Sequence, residues 1–200
     1  YHIRKSSSLN SKFNSKVLEI GIGSGQATLP FLKKGCSITA VEPGEHFASM
    51  CLKKFSSYPN FRLENTDFLN FDGNGDSYDL IFSATAFHWI PEADSYQRVY
   101  SLLKPDGVFA RFANSAGRDT DSELHQSLQT LYKEYMGSSE QKNISMNTIA
   151  KERAFIAKNY GFTNIVYHLY KRTRIFSSDE YLLLLETYPD HMLMEESSCA

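Results

Sequence analysis

Three glycines at alternate positions follow a short aliphatic run near the start of this 200-residue chain. The run Lys16–Ile20 predicts a buried strand, and Gly21, Gly23 and Gly25 follow it directly. Glycine adopts a positive φ without a Cβ clash, and it lets a ligand approach the backbone closely. The stretch 26–34 predicts a short helix. A strand, a glycine turn and a helix in this order predict an α/β sheet that presents a helix N-terminus to a ligand.

The spacing of these glycines separates two classes of ligand. The dinucleotide-binding fingerprint G-x-G-x-x-G requires a glycine where this chain has Gln26. The observed pattern is E-x-G-x-G-x-G, which begins at Glu19. In this pattern the chain resembles the class I S-adenosylmethionine (SAM)-dependent methyltransferases, whose first motif has the same form. The resemblance implies that Gly21, Gly23 and Gly25 bind the cofactor. A tight turn without a ligand is the alternative.

Predicted strands and helices alternate through residue 113. Strands are predicted at 16–20, 36–42, 60–66, 78–84 and 108–113, and helices at 26–34, 44–55 and 93–103. This alternation predicts βαβ units, and therefore an α/β fold with a Rossmann-like, doubly wound, mostly parallel sheet of the seven-stranded type. We interpret residues 1–200 as a single domain, with a cofactor-binding half at 16–113 and a substrate-side half at 114–200.

The rest of the chain matches the resembled family only in the order of its elements. Helices are predicted over 121–136 and 147–160, a long alternating strand over 162–176, and a last helix that ends at Leu185. Residues 1–15 are polar and serine-rich, which predicts a flexible lead-in. Enzymes of the family end on an antiparallel strand between the fifth and sixth strands. We expect that strand to be missing from this chain, which would leave a sheet edge incomplete.

Two acidic residues stand at the ends of predicted strands. Glu42, followed by Pro43, lies about 20 residues after the first glycine, where doubly wound folds place the acid that accepts hydrogen bonds from ribose hydroxyls. The resemblance implies that Asp67 accepts a hydrogen bond from the adenine amino group and that Phe68 packs near the ring. It also implies that Glu19 helps to hold the methionine moiety. The alternatives are a surface glutamate, an aspartate that ends a strand and a core phenylalanine.

The segment Ser83–Ile90 leaves the fourth predicted strand. In the resembled enzymes this loop passes the reactive end of SAM, and Ser83 is therefore assigned to the cofactor site. His88 is a candidate general base because imidazole titrates near neutral pH, and Trp89 is a candidate wall of the acceptor pocket. Alternatively, His88 packs the loop and Trp89 fills the core. Methyl transfer from a sulfonium needs only an aligned donor and acceptor, so the base is optional.

Composition limits the kinds of binding partner and the location that we expect for this protein. A net charge of −2 gives no reason to expect nucleic acid or an anionic membrane as a partner. The chain has no apolar run of about 18 residues and no apolar leader, so neither a membrane span nor a signal peptide is predicted. Cys36, Cys51 and Cys199 are scattered and lack C-x-x-C spacing. They predict reduced thiols in a cytoplasmic protein and no metal site.

We therefore expect a transferase that passes a methyl group from SAM to a small-molecule acceptor and releases S-adenosylhomocysteine (SAH). It would work without a metal, as a monomer or homodimer. The Phe-His-Trp loop looks most like small-molecule enzymes of the trans-aconitate or quinone methyltransferase sort. The alternatives are a nicotinamide-dependent oxidoreductase, against which Gln26 speaks, and a non-catalytic or truncated SAM-binding module.

Overall fold

The computed structural model describes residues 2–4, 15–75, 77–114, 123–136 and 145–186. The chain divides into two compact units, one of residues 1–115 with 144–168 and one of residues 116–143 with 169–200. All the strands of the described sheet lie in the first unit. The single domain over 1–200 stays a prediction.

The described residues form seven strands and six α-helices. The strands are β1 His2–Arg4, β2 Lys16–Ile20, β3 Ser37–Val41, β4 Phe61–Glu64, β5 Tyr78–Ala84, β6 Leu103–Phe112 and β7 Thr163–Val166. The helices are α1 Thr28–Lys33, α2 Glu45–Lys54, α3 Glu92–Leu102, α4 Glu123–Met136, α5 Met146–Phe155 and α6 Ser178–Leu185. Two 3-10 turns span Phe87–Trp89 and Ile156–Tyr160.

The strand order is β4-β3-β2-β5-β6-β1-β7. The five strands from β4 to β6 pair in parallel, and β1 pairs antiparallel with both β6 and β7. This confirms the predicted Rossmann-like, doubly wound fold. The strand order reverses at β2, which lies between β3 and β5. The loops after β2 and β5 leave the sheet in opposite directions there, which opens a crevice at the carboxyl ends of the strands.

Side chains of both faces of the sheet are buried under helices. Ile81 and Phe109 belong to the apolar cluster that contains Tyr96 of α3. The next residues along the same strands, Phe82 and Ala110, belong to the cluster packed on α1 and α2. This alternation follows from the two-residue period of a strand. It explains why residues 80–82 of β5 and 108–110 of β6 are apolar without interruption.

The predicted flexible lead-in over residues 1–15 is wrong for His2–Arg4, which form β1. Their backbone inserts between β6 and β7, opposite Val108 to Ala110 on one side. The sheet therefore has an antiparallel strand at the place where we expected it to lack one. An extended segment satisfies the N–H and C=O groups that both neighbouring strands would otherwise leave unpaired. Residues 5–14 and those after 186 lie outside the described residues.

The long strand predicted over 162–176 is also wrong, because only Thr163–Val166 is a strand. Its only described partner, β1, has three residues, so the ladder stops after Val166. Alternating polarity gives a segment the period of a strand, but a strand needs a partner along its whole length. Residues 104–107, between the helix predicted at 93–103 and the strand predicted at 108–113, lie inside β6, where the pairing with β5 shifts register and Asp106 has φ 65°.

Candidate cofactor and acceptor site

A cavity of about 780 Å³ opens at the carboxyl ends of the parallel strands. Its lining comes from the segments that follow β4, β3, β2, β5 and β6, and from Phe47 of α2. Small-molecule sites in proteins typically occupy 300–1,000 Å³ and lie at the switch point of such sheets. The cavity therefore has both the place and the size of a ligand site.

The three glycines of the turn after β2 have different neighbours. A Cβ on Gly21 would lie 2.4 Å from Cβ of Ala86, and one on Gly25 would lie 2.6 Å from the Phe55 ring. A Cβ on Gly23 would meet nothing within 4 Å, and Gly23 lines the cavity. All three have positive φ, between 51° and 71°. Gly21 and Gly25 are thus needed for packing of the turn, while Gly23 leaves open space for a ligand.

Glu42 joins the end of β3 to the glycine turn. Its Oε2 accepts a hydrogen bond from the Gly23 N–H at 3.0 Å, and its Oε1 accepts one from the Gly44 N–H at 3.0 Å. The residue is 8% exposed, and it lines the cavity. A carboxylate offers about four lone-pair sites, so each oxygen can accept one more hydrogen bond from a ligand. Two vicinal hydroxyls would use these remaining sites.

Glu19 lies behind the cavity wall. Its side chain is buried, Oε2 accepts a hydrogen bond from the Thr28 hydroxyl at 2.7 Å, and Oε1 has no partner among the described residues. The pKa of this carboxyl is raised to about 8, mainly by burial; the Thr28 hydrogen bond opposes the rise, and the negative charge of Glu42 adds to it. Glu19 is therefore protonated at neutral pH, and it does not line the cavity.

Asp67, Phe68 and Pro43 line the β3–β4 end of the cavity. Asp67 accepts hydrogen bonds from the Asn70 side chain at 2.6 Å and from the Leu69 and Asn70 N–H groups at 3.0 Å. The Asn70 side chain contributes most to lowering the pKa of Asp67. Phe68 is 4% exposed and is part of the core. The structure thus brings these residues together with Glu42 and Gly23 around one cavity.

Ser83, in contrast, is buried and does not line the cavity. Its hydroxyl donates a hydrogen bond to the Ile20 C=O at 2.9 Å, so it ties β5 to the end of β2. The assignment of Ser83 as a cofactor-contacting residue is not supported by this placement. A serine inside an otherwise apolar strand gives no signal that distinguishes a ligand contact from an internal hydrogen bond.

Of the two residues predicted to contact the methyl acceptor, one lies at the β5–β6 end of the cavity. Trp89 lines the cavity and is 74% exposed, so the alternative that it fills the core is wrong. His88 is exposed beside it, with the two rings 4.9 Å apart, but His88 does not line the cavity. A side chain of a 3-10 turn can point toward the cavity or away from it, and sequence spacing does not fix this direction.

Thr85, which lies in the segment predicted to pass the cofactor, and Phe112 of β6 line the cavity, although neither was singled out from the sequence. The Thr85 N–H donates a hydrogen bond to the Phe112 C=O at 2.9 Å, which holds the loop after β5 against the end of β6. Thr85 has φ 59°, which is uncommon for a β-branched residue, and such conformations cluster at ligand sites. Only the position of these residues at the carboxyl ends of two central strands could have indicated them.

Metal-binding clusters and membrane-spanning helices are absent from the described residues. No group of three or more His, Cys, Asp or Glu side chains there could hold a metal ion. No helix within the described ranges has the length and apolar character needed to cross a membrane.

Comparison with known proteins agrees with the geometry of the cavity. The methyltransferase domain family matches residues 17–107, which run from β2 into β6. The matched stretch, 91 of the 200 residues, is similar to a methyltransferase domain. The match contains the glycine turn, Glu42, Asp67 and the loop after β5.

Two curated relatives extend this comparison. A ribosomal RNA small subunit methyltransferase A from Hahella chejuensis is 40% identical over 129 residues, which cover 58% of this chain and 47% of that protein. An uncharacterized methyltransferase from Schizosaccharomyces pombe is 25% identical over 185 residues, which cover 90% of this chain and 69% of that protein.

A solved structure shares the fold of the domain. It is phosphoethanolamine N-methyltransferase 2 from Haemonchus contortus in complex with SAM, with a TM-score of 0.54, 20% identity, and coverage of 76% of this chain and 34% of that chain. The chain spans about half the length of the first curated relatives it matches, namely 44%, 51% and 54%.

Proposed function

We propose that this protein is a SAM-dependent methyltransferase that methylates a small-molecule acceptor and releases SAH. One observation carries the proposal. Glu42 is almost completely buried at the end of β3, bonded to the N–H of the one motif glycine whose missing side chain leaves the cavity open. A carboxylate that can accept hydrogen bonds from two vicinal hydroxyls thus lies beside backbone that a ligand can approach closely.

The order of the strands supports one orientation of the cofactor. Asp67 and Phe68 follow β4, Glu42 follows β3 and Gly23 follows β2, so the three groups lie in sequence across the sheet. In the proposed assignment Asp67 and Phe68 hold the adenine, Glu42 accepts the ribose hydroxyls, and the glycine turn receives the methionine part. When bound, SAM supplies an electrophilic methyl group on a sulfonium. The reactive end would then face the loops after β5 and β6.

The acceptor end of the cavity has an uncharged lining among the described residues. It consists of Ala84, Thr85, Ala86, Trp89, Ile90, Phe112, Ala113 and Asn114. The two lining acids, Glu42 and Asp67, belong to the nucleoside end. This lining supports a neutral, largely apolar acceptor, and thus the quinone sort more than a tricarboxylate such as trans-aconitate. Catalysis would come from alignment in a dry pocket, because His88 does not face the cavity.

Ligand-induced stabilisation tests the cofactor assignment. A ligand that binds the folded state alone stabilises it by about 2.7 kcal/mol at 100 times its Kd. SAM and SAH should raise the unfolding midpoint, and NAD should not. Glu42→Ala should weaken SAH binding by roughly 1–3 kcal/mol in calorimetry, since the ribose hydroxyls lose their acceptor. Glu45→Ala removes an exposed carboxylate three residues away and serves as the matched control. Stabilisation by NAD alone would contradict the proposal.

Transfer of labelled methyl groups tests the acceptor class. Label from SAM should enter a small molecule when the protein is incubated with a metabolite extract. Ribosomal RNA is the second substrate to offer, because one relative is named as an rRNA methyltransferase. The net charge of −2 argues against it, since RNA-binding surfaces are usually basic. Label found only in RNA would overturn the small-molecule assignment.

A cytoplasmic location is part of the proposal. Cys36 and Cys51 are buried free thiols, which suits a reducing compartment. Fractionation of cells that express a tagged full-length protein would test this location.

A further inference from the structure

The 3-10 turn Phe87–Trp89, which we call the acceptor turn, places Trp89 beside the cavity. Trp89 is 74% exposed, so its own packing contributes little to its position. Phe87, two residues earlier, is 5% exposed. Its ring lies 5.2 Å from the ring of Tyr96 and 4.9 Å from that of Phe109. The turn is therefore anchored through Phe87.

Arg111 of β6 covers the same anchor. Its guanidinium carbon lies 4.5 Å from the centroid of the Phe87 ring, which is a cation–π arrangement. The same guanidinium donates a hydrogen bond from Nη1 to the Tyr96 hydroxyl at 2.7 Å. A planar guanidinium can stack on a ring and donate in its own plane at once, which a lysine ammonium cannot do. Arg111 thus links the acceptor turn to α3.

Tyr96 gives Arg111 a rigid point of attachment. It is fully buried, and its ring stacks on that of Tyr160 with centroids 4.7 Å apart and planes parallel within 1°. The Tyr160 hydroxyl donates to Glu92 at the start of α3, at 3.1 Å. The hydrogen bond from Arg111 is therefore directed at an oxygen whose ring is held by the core.

We propose that Arg111 is a positioning residue of the acceptor site. It does not line the cavity. It clamps Phe87 against Tyr96 and so holds the acceptor turn, with Trp89, in the orientation that an acceptor meets. That this end of the cavity receives the methyl acceptor rests on the proposed function, but the mechanical role of Arg111 does not.

The chain contains one tryptophan, which makes the acceptor turn observable by itself. Labelling with 5-fluorotryptophan gives a single ¹⁹F resonance, from Trp89. The variants are Arg111→Lys, which keeps the charge but loses the planar fork, and Tyr96→Phe, which removes one oxygen atom. Arg98→Lys is the matched control, because Arg98 is also partly buried but donates to the Phe71 C=O. Spectra are recorded with and without SAH, and the SAH Kd is measured for each variant.

In Arg111→Lys we expect the Trp89 resonance to shift and to broaden by at least about twofold, because the turn samples additional conformations on the microsecond-to-millisecond timescale. Tyr96→Phe should shift it in the same direction by less, and Arg98→Lys should leave it as in the wild type. The SAH Kd should stay within about twofold in all three, because the nucleoside end is unchanged.

A wild-type resonance in both Arg111→Lys and Tyr96→Phe would overturn the positioning role, as would an equal change in Arg98→Lys. Should Arg111→Lys fail to fold, Tyr96→Phe decides alone. If the wild type does not bind SAH, the proposed function fails, and the ligand-free spectra still decide whether Arg111 holds the turn.

Discussion

Glu19 and Glu42 show at the scale of single residues how one side-chain type takes two roles. Both carboxyls lie near the glycine turn, but Glu42 accepts two backbone N–H hydrogen bonds, while Glu19 accepts one from a hydroxyl and its Oε1 has no partner in the described part of the chain. Burial favours the neutral acid at Glu19. Sequence spacing placed both residues near the ligand but could not separate a cavity wall from the layer behind it. That distinction depends on the direction of each side chain relative to the turn.

The protonation of Glu19 predicts a pH-dependent stability. The pKa of Glu19 is about 8 in the folded protein and 4.5 ordinarily, so between these values the folded state binds a proton that the unfolded state releases. The stabilisation is complete below pH 4.5 and is lost as pH rises through 8, by up to about 1.4 kcal/mol per pH unit. Urea unfolding at pH 5.5, 6.5 and 7.5 measures this slope over about two pH units between the two pKa values.

Glu19→Gln should flatten that slope, because the amide keeps an oxygen for the Thr28 hydroxyl but does not titrate. The control is Glu45→Gln, an exposed residue at the start of α2, which should keep the wild-type slope. Equal slopes in the wild type and Glu19→Gln would show that Glu19 is ionised in the folded protein.

At the scale of elements, the strands that sequence predicted best are those buried on both faces. β2 and β5 begin and end at their predicted bounds, and the helices between the parallel strands lie within about two residues of theirs. β1 could not be found in this way, since three residues carry no periodic pattern. Its formation depends on two partners more than 100 residues away in sequence, Val108 to Ala110 and Thr163–Val166. Pairing over such distances leaves little trace in local composition.

Because β1 lies between two other strands, we expect the free energy of unfolding to depend on residues 2–4. Proline at position 3 cannot donate to a ladder, and Ile3 pairs with Phe109 on one side and Ile165 on the other. Ile3→Pro should therefore lower the free energy of unfolding by roughly 1–3 kcal/mol, and the freed edges should increase light scattering on heating. Ile3→Val keeps the N–H and the β propensity, and should behave as the wild type. No effect of proline would mean that the sheet does not need β1.

At the scale of the whole molecule, the order of the strands carries most of the information about the site. Once five parallel strands were predicted in the resembled order, the glycine turn, Glu42 and Asp67 had to meet at one edge. The acceptor end was predicted less well, because it depends on the 3-10 turn after β5 and on the N–H of Thr85 bonding to Phe112. Neither the turn nor the positive φ of Thr85 has a signature in a single sequence.

The uncharged acceptor end makes a prediction about which molecules can react. If charge at this end selects the acceptor, Asn114→Lys should favour carboxylated acceptors over neutral ones, because Asn114 lines that end. We expect the ratio of methylation rates for a carboxylated and a neutral aromatic acceptor to rise by about tenfold at low salt, which corresponds to 1.4 kcal/mol. The gain should shrink as salt screens the new charge. Ser56→Lys adds the same charge at an exposed position that does not line the cavity, and should leave the ratio unchanged. A wild-type enzyme that already prefers carboxylated acceptors, with no response to Asn114→Lys, would place their recognition outside the described lining.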